Sequence, residues 1–188
     1  MFNDKYSVSK RSLVQRGYSL SGDAINEQGD KLWVKWILGI RKDSVESRII
    51  SDRLRHIQQA NHPLLPAILD YGYDQDQDAY AIVYEYLNAQ TFKEALPNMS
   101  PEQVLDLLSN VADCLNLLAR EKDIVHGDLN PENILVGTDG RVHIIDFSLS
   151  DLTGSLSQGK DLEVFSRAYA APEKFKKSGR APRFLSDI

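Results

Sequence analysis

Strand-like patterns dominate the first half of this chain, and a helical stripe opens the second. Leu32-Trp33-Val34-Lys35-Trp36-Ile37 is rich in β-formers and reads as a strand. Glu27-Gln28-Gly29-Asp30 ahead of it reads as a hairpin turn. Ser44 to Ala60 changes to a helical period, which predicts Ile49, Ile50, Leu54 and Ile57 on one side. Two further strands, residues 67–73 and 80–86, flank the polar turn Asp74-Gln75-Asp76-Gln77-Asp78. Ser100, Pro101 and Gln103 then spell a helix start with a capping box. Val104, Leu107, Leu108, Val111, Leu115 and Leu118 follow as its apolar stripe. Two short strands, Ile134–Val136 and Val142–Ile145, are joined by Gly137-Thr138-Asp139-Gly140. The expectation is an α+β, two-lobed fold: a β-rich lobe with one helix over residues 1–86, a connector near Leu87–Ala89, and a mainly helical lobe over residues 87–188. A cleft between two such lobes is a natural nucleotide site.

Composition narrows the classes. The chain has 188 residues and 42% hydrophobic residues, enough for a real core. Its formal net charge of -5 argues against a general binder of nucleic acid or acidic membrane. Lys174, Lys176 and Lys177 read as a solvated face. Cys114 is the only cysteine, so an internal disulfide and a cysteine-based zinc site are excluded. Its apolar neighbours Leu108, Val111, Leu115 and Leu118 make it buried filler rather than a nucleophile. Met1-Phe2-Asn3-Asp4-Lys5 lacks the apolar core of a signal peptide and no apolar run reaches membrane-spanning length, so a cytoplasmic protein is expected.

The densest chemistry lies in Val125-His126-Gly127-Asp128-Leu129-Asn130-Pro131-Glu132-Asn133 and, across the hairpin turn at Gly137–Gly140, Asp146-Phe147-Ser148. Two carboxylates and an amide around one hairpin suit phosphoryl transfer, where a metal is held on a nucleotide and a hydroxyl is aimed at it. Lys35, among apolar strand neighbours, wants an anionic partner. His56, His62 and His143 have no metal-ligand spacing and read as ordinary polar or loop residues.

These residues resemble the protein-kinase superfamily. His126-Gly127-Asp128 through Asn133 is similar to its His-Arg-Asp catalytic loop, Asp146-Phe147-Ser148 to its Asp-Phe-Gly motif, and Ala171-Pro172-Glu173, preceded by Tyr169, to the end of its activation segment. Val34-Lys35 resembles the nucleotide-binding lysine, and Glu85-Tyr86-Leu87 the hinge. The resemblance implies ATP and magnesium as cofactors and a protein hydroxyl as acceptor. Asp128 would orient the attacking hydroxyl, with Asn130 and Asn133 beside it in the catalytic loop. Asn133 and Asp146 would hold the metal. Lys35 and the backbone of Glu85 and Leu87 would hold the nucleotide, with Tyr84 behind the adenine. His126 would be structural. Ser166 resembles the hydroxyl residue that contacts the catalytic aspartate in Ser/Thr kinases.

Several positions depart from the family. Only two glycines, Gly17 and Gly22, stand where a Gly-rich loop belongs. Arg53 occupies the helix position of the glutamate that pairs with the nucleotide lysine, leaving Asp52 or Glu46 to substitute. Gly127 replaces an arginine, so switching by loop phosphorylation is less expected. Asn130 replaces a phosphate-contacting lysine, and Ser148 a glycine. Ser186-Asp187-Ile188 resembles the start of the central helix of the second lobe, so a C-terminal region or a partner is expected to complete that lobe. Three functions compete: an ATP-dependent Ser/Thr protein kinase, a pseudokinase serving as a binding module, and a small-molecule phosphotransferase of the aminoglycoside or choline kind, whose His-Gly-Asp loop Gly127 matches.

Overall fold

The computed structural model describes residues 5–147 and Tyr169. The chain forms two compact units, Met1–Gln58 with Ala67–Leu87, and Gln59–Pro66 with Asn88–Ile188.

The first unit is an antiparallel sheet. Its strands are β1 (Tyr6–Val8), β2 (Val14–Arg16), β3 (Ser19–Asn26), β4 (Lys31–Leu38), β5 (Ile68–Asp74) and β6 (Ala79–Glu85). They run in the order β1-β3-β4-β6-β5, with β2 also on β3. Side chains alternate across a strand, and β4 shows what this does. Leu32, Val34 and Trp36 join Ala24, Ala79, Ala81 and Val83 in one buried layer. On the other face Lys35 is paired with Ile82, and Ile37 with Tyr80. Helix α1 (Val45–Ala60) lies on that second face, bonding through Ser51 to the Tyr80 hydroxyl at 2.6 Å and through Gln58 to the Ile68 carbonyl at 2.7 Å.

β1 and β5 sit at opposite ends of the strand order, yet Tyr6 and Lys5 both reach Asp70, at 2.9 and 3.1 Å. The sheet is therefore curled, as sheet twist permits, and these bonds fasten one edge to the other.

Two expectations need correction here. Ile49 is 46% exposed, whereas Ile50, Leu54 and Ile57 are buried. One residue is a turn of about 100° on a helix, enough to carry Ile49 off the stripe. Asp74 is no surface turn residue. It ends β5, is 1% exposed, and accepts from the Trp36 indole at 2.8 Å and from the Asp76 amide at 3.0 Å.

The second unit holds the three-stranded sheet β7-β8-β9 (Ala89–Thr91, Ile134–Gly137, Val142–Ile144). Helix α2 (Phe92–Ala95), a 3-10 turn (Leu96–Asn98) and helix α3 (Pro101–Lys122) complete it. The expected capping box forms: Ser100 accepts from the Gln103 amide and Gln103 accepts from the Ser100 amide. α3 buries Leu107, Val111, Cys114, Leu115 and Leu118, but Leu108 is 44% exposed, a second correction to the predicted stripe. Burial pushes the Cys114 thiol up to about 12, which fits filler and leaves it protonated at neutral pH. β7 starts at Ala89, at the end of the expected connector; three residues carry too little pattern to be read in advance. Leu64 accepts from the Ile144 amide at 2.7 Å, which ties the Gln59–Pro66 segment to this unit. Among the described residues no helix is long and apolar enough to cross a membrane.

Candidate active site

α3 ends at Asp123, whose φ of 53° lies in the left-handed region and breaks the helix. The chain then enters a loop made mostly of polar contacts. His126 is fully buried and uses both ring nitrogens: Nε2 meets the Ile145 carbonyl at 2.8 Å, and Nδ1 accepts from the Asp128 amide at 3.2 Å. That pattern requires Nε2 to carry the proton and the ring to be neutral. Its ring lies 4.7 Å from that of Phe147. His126 thus has the structural place expected of it, bridging the Asp128 segment and the Asp146 segment.

Gly127, next in line, has φ 78°, where an arginine's Cβ would be strained. This gives the glycine a local reason independent of any regulatory history.

Hairpin register brings the remaining groups together. Ile134 pairs with Ile144 across β8 and β9. One step further, the Ile145 amide donates to the Asn133 carbonyl at 2.9 Å. Asp146 therefore leaves the ladder beside Asn133. Its φ of 61° is a left-handed conformation that aspartate tolerates better than most residues, and such strain is common at working sites. Asn133 is buried, and its Nδ2 donates to the Asp128 carbonyl at 2.9 Å. With nitrogen on that carbonyl, the amide oxygen is the atom turned away from it. Asn133 thus bonds the Asp128 carbonyl through its side chain and the Ile145 amide, one residue before Asp146, through its own carbonyl. Asn130 is bonded inward: Nδ2 to the Asp128 carbonyl at 3.0 Å and Oδ1 from the Glu132 amide at 2.9 Å.

Lys35, Glu85 and Leu87 lie in the other unit. Lys35 is half-buried on the α1 face of β4. Glu85 ends β6, bonding Ala67 through both its amide (3.0 Å) and its carboxylate (2.7 Å). Leu87 follows outside the strand, after Tyr86, whose ring carries Lys31 at 5.5 Å. Asp52, one of the two acids expected to serve Lys35, is exposed and bonds Arg55 at 2.8 Å. Arg53 and Glu46 are half-buried. In place of a Gly-rich loop, β2 and β3 are joined by the two-residue turn Gly17-Tyr18, with Gly17 at φ 56°.

The sequence reading missed three features. His143, read as an ordinary polar residue, is buried within β9. Thr91 and Glu94 form a capping box for α2, a signal that the Thr-x-x-Glu spacing did carry. Lys93 bonds Glu132 at 2.8 Å, and its amide donates to the Pro131 carbonyl at 3.1 Å. The Glu132 carboxylate holds the Lys93 ammonium above its ordinary range. No local pattern announces a pair 39 residues apart. Ser148, Ser166, Ala171-Pro172-Glu173, the Lys174–Lys177 group and Ser186–Ile188 lie outside the described residues; Tyr169 is exposed.

Known proteins share stretches of this sequence. Serine/threonine-protein kinase PrkC of Bacillus subtilis is 28% identical over 61% of this chain and 18% of its own length. KEOPS complex subunit Bud32 of Pyrococcus abyssi is 33% identical over 52% of this chain and 44% of its own. Cyclin-dependent kinase D-1 of Arabidopsis thaliana is 25% identical over 90% of this chain and 43% of its own. The chain spans about half or less of the length of these curated relatives. The family model of the protein kinase domain matches residues 17–184. The chain therefore belongs to the protein kinase superfamily, with its α+β fold.

Proposed function

We propose that this chain carries the ATP-dependent transfer of a γ-phosphate to a serine or threonine hydroxyl of a protein. Residues 1–86 serve as the nucleotide lobe and residues 87–188 as the catalytic and substrate lobe. The observation that carries the reading is that Asn133 bonds the Asp128 carbonyl on one side and the Ile145 amide, next to Asp146, on the other. Asp128 accepts and aims the attacking hydroxyl, a role that requires hydrogen-bond reach. Lys35 meets the phosphates, and the backbone at Glu85 and Leu87 meets the adenine edge.

The donor set fits magnesium. Asn133 and Asp146 offer one neutral and one anionic hard oxygen, and magnesium takes its other ligands from phosphates and water. When bound, the ion neutralises phosphate charge.

The test uses the full chain with radiolabelled ATP, magnesium and a mixture of protein acceptors. Asp128→Asn should abolish labelling while leaving the circular dichroism melt in place. Labelling that survives this substitution would defeat the assignment. One observation favours a second reading, nucleotide binding without turnover: the tight Gly17-Tyr18 turn offers few backbone amides to phosphates. ATP binding with no label transfer by the wild-type chain would select it.

A further inference from the structure

The backbone carbonyl of Asp128 accepts two side-chain amides, from Asn130 at 3.0 Å and Asn133 at 2.9 Å. A carbonyl oxygen has two lone pairs, so this pair of donors fills it. Asn130 also closes the loop on its far side. Its Oδ1 accepts the Glu132 amide at 2.9 Å, and its own carbonyl accepts the Asn133 amide at 3.0 Å. The side chain is 7% exposed. Only one amide orientation satisfies both contacts, because a flip would set oxygen against oxygen and N–H against N–H. The turn is anchored in turn on α2, through Lys93 to Glu132 and Pro131.

We infer that Asn130 is a positioning residue: it acts on phosphoryl transfer by clamping the Asp128 backbone, and it neither touches the nucleotide nor replaces the charge of the lysine found at this place in related kinases. The kinetic part rests on the kinase reading above. Aim matters because a misplacement of about 1 Å at a reacting group costs on the order of a hundredfold in rate.

Three variants of the full chain test the clamp. Asn130→Asp keeps an acceptor for the Glu132 amide but sets a carboxylate oxygen against the Asp128 carbonyl. Asn130→Ala removes both contacts. Asn130→Lys removes both and adds the cation. kcat, KM for ATP, affinity for a fluorescent ATP analogue, and amide hydrogen exchange over residues 128–133 are measured for each. In Asn130→Asp and Asn130→Lys, kcat should fall by about tenfold or more while nucleotide affinity changes by less than about twofold. The Glu132 amide should stay protected in Asn130→Asp and lose protection in Asn130→Ala. A rise in kcat for Asn130→Lys, wild-type kcat for Asn130→Asp, or a nucleotide affinity that falls in step with kcat would overturn the inference. Hydrogen exchange needs no turnover. If the wild-type chain labels nothing, the kinase reading fails while the exchange pattern still decides the clamp: unchanged exchange at Glu132 in Asn130→Ala refutes it.

Discussion

The sheet of the first unit and the loop from Asp123 to Asn133 in the second are stabilised by different means. In the sheet, β4 pairs with β3 over Lys31–Ile37 and with β6 over Leu32–Leu38, and its inward positions are apolar. Many equivalent hydrogen bonds and a continuous buried layer share the load. In the loop, the path is set by individual polar side chains. His126, Asn130 and Asn133 each bond backbone groups two to nineteen residues away, and all three are buried. A redundant apolar scaffold tolerates sequence drift, whereas a loop held by particular donors and acceptors depends on each of them.

Substitutions can break this contrast. The largest effect on stability is expected in the scaffold. Ile50→Ala should lower the unfolding free energy by about 2–5 kcal/mol in urea titrations, while Ile49→Ala, one residue away, should stay within about 0.5 kcal/mol. Equal effects would mean that α1 does not present the stripe described. Next comes the loop. His126→Phe keeps a ring beside Phe147 but strips partners from the Asp128 amide and the Ile145 carbonyl, at about 1–3 kcal/mol for each orphaned group. Hydrogen exchange should rise at Asp128 before the sheet loosens. If it does not, the loop has support beyond its polar contacts.

Asp74→Ala carries the loop's logic into the sheet. It leaves the buried Trp36 indole N–H without its acceptor and should cost about 1–3 kcal/mol by denaturant unfolding. A neutral result would show the scaffold to be redundant even there. The smallest effect belongs to the edge fastening. Burial and the Asp70 hydrogen bond raise the Tyr6 phenol from 10.0 to about 12. The neutral phenol is thus favoured in the folded chain. Its contribution is fully present below pH 10 and is lost as the pH rises from 10 towards 12. Tyr6→Phe should cost about 0.5–1.5 kcal/mol at neutral pH and flatten the stability profile in that alkaline window.

Legibility in the sequence follows the same division. The strands at Leu32–Ile37 and Tyr80–Tyr86, helix α1 and the Ser100 capping box were readable because each is written in local periodicity or spacing. The errors fell where periodicity is coarse or absent. Ile49 and Leu108 sit at the margins of helical stripes, where one residue decides between core and solvent. β7 is too short to carry a pattern. Asp74 looked like turn chemistry because its partner, the Trp36 indole, lies on another strand.

The sequence by itself determined the family, through the order of the Asp128, Asn133 and Asp146 motifs, and it determined the α+β alternation of elements. Tertiary structure alone decided which atoms those motifs bond. It turned Asn130 into the loop, joined Asn133 to Ile145 by one extra rung of the hairpin, brought Lys93 onto Glu132, and closed the curled sheet through Tyr6 and Asp70. The physical reason is range. Propensity and period are properties of neighbouring residues, whereas a hydrogen bond between distant residues exists only once the chain has brought its two ends within about 3 Å.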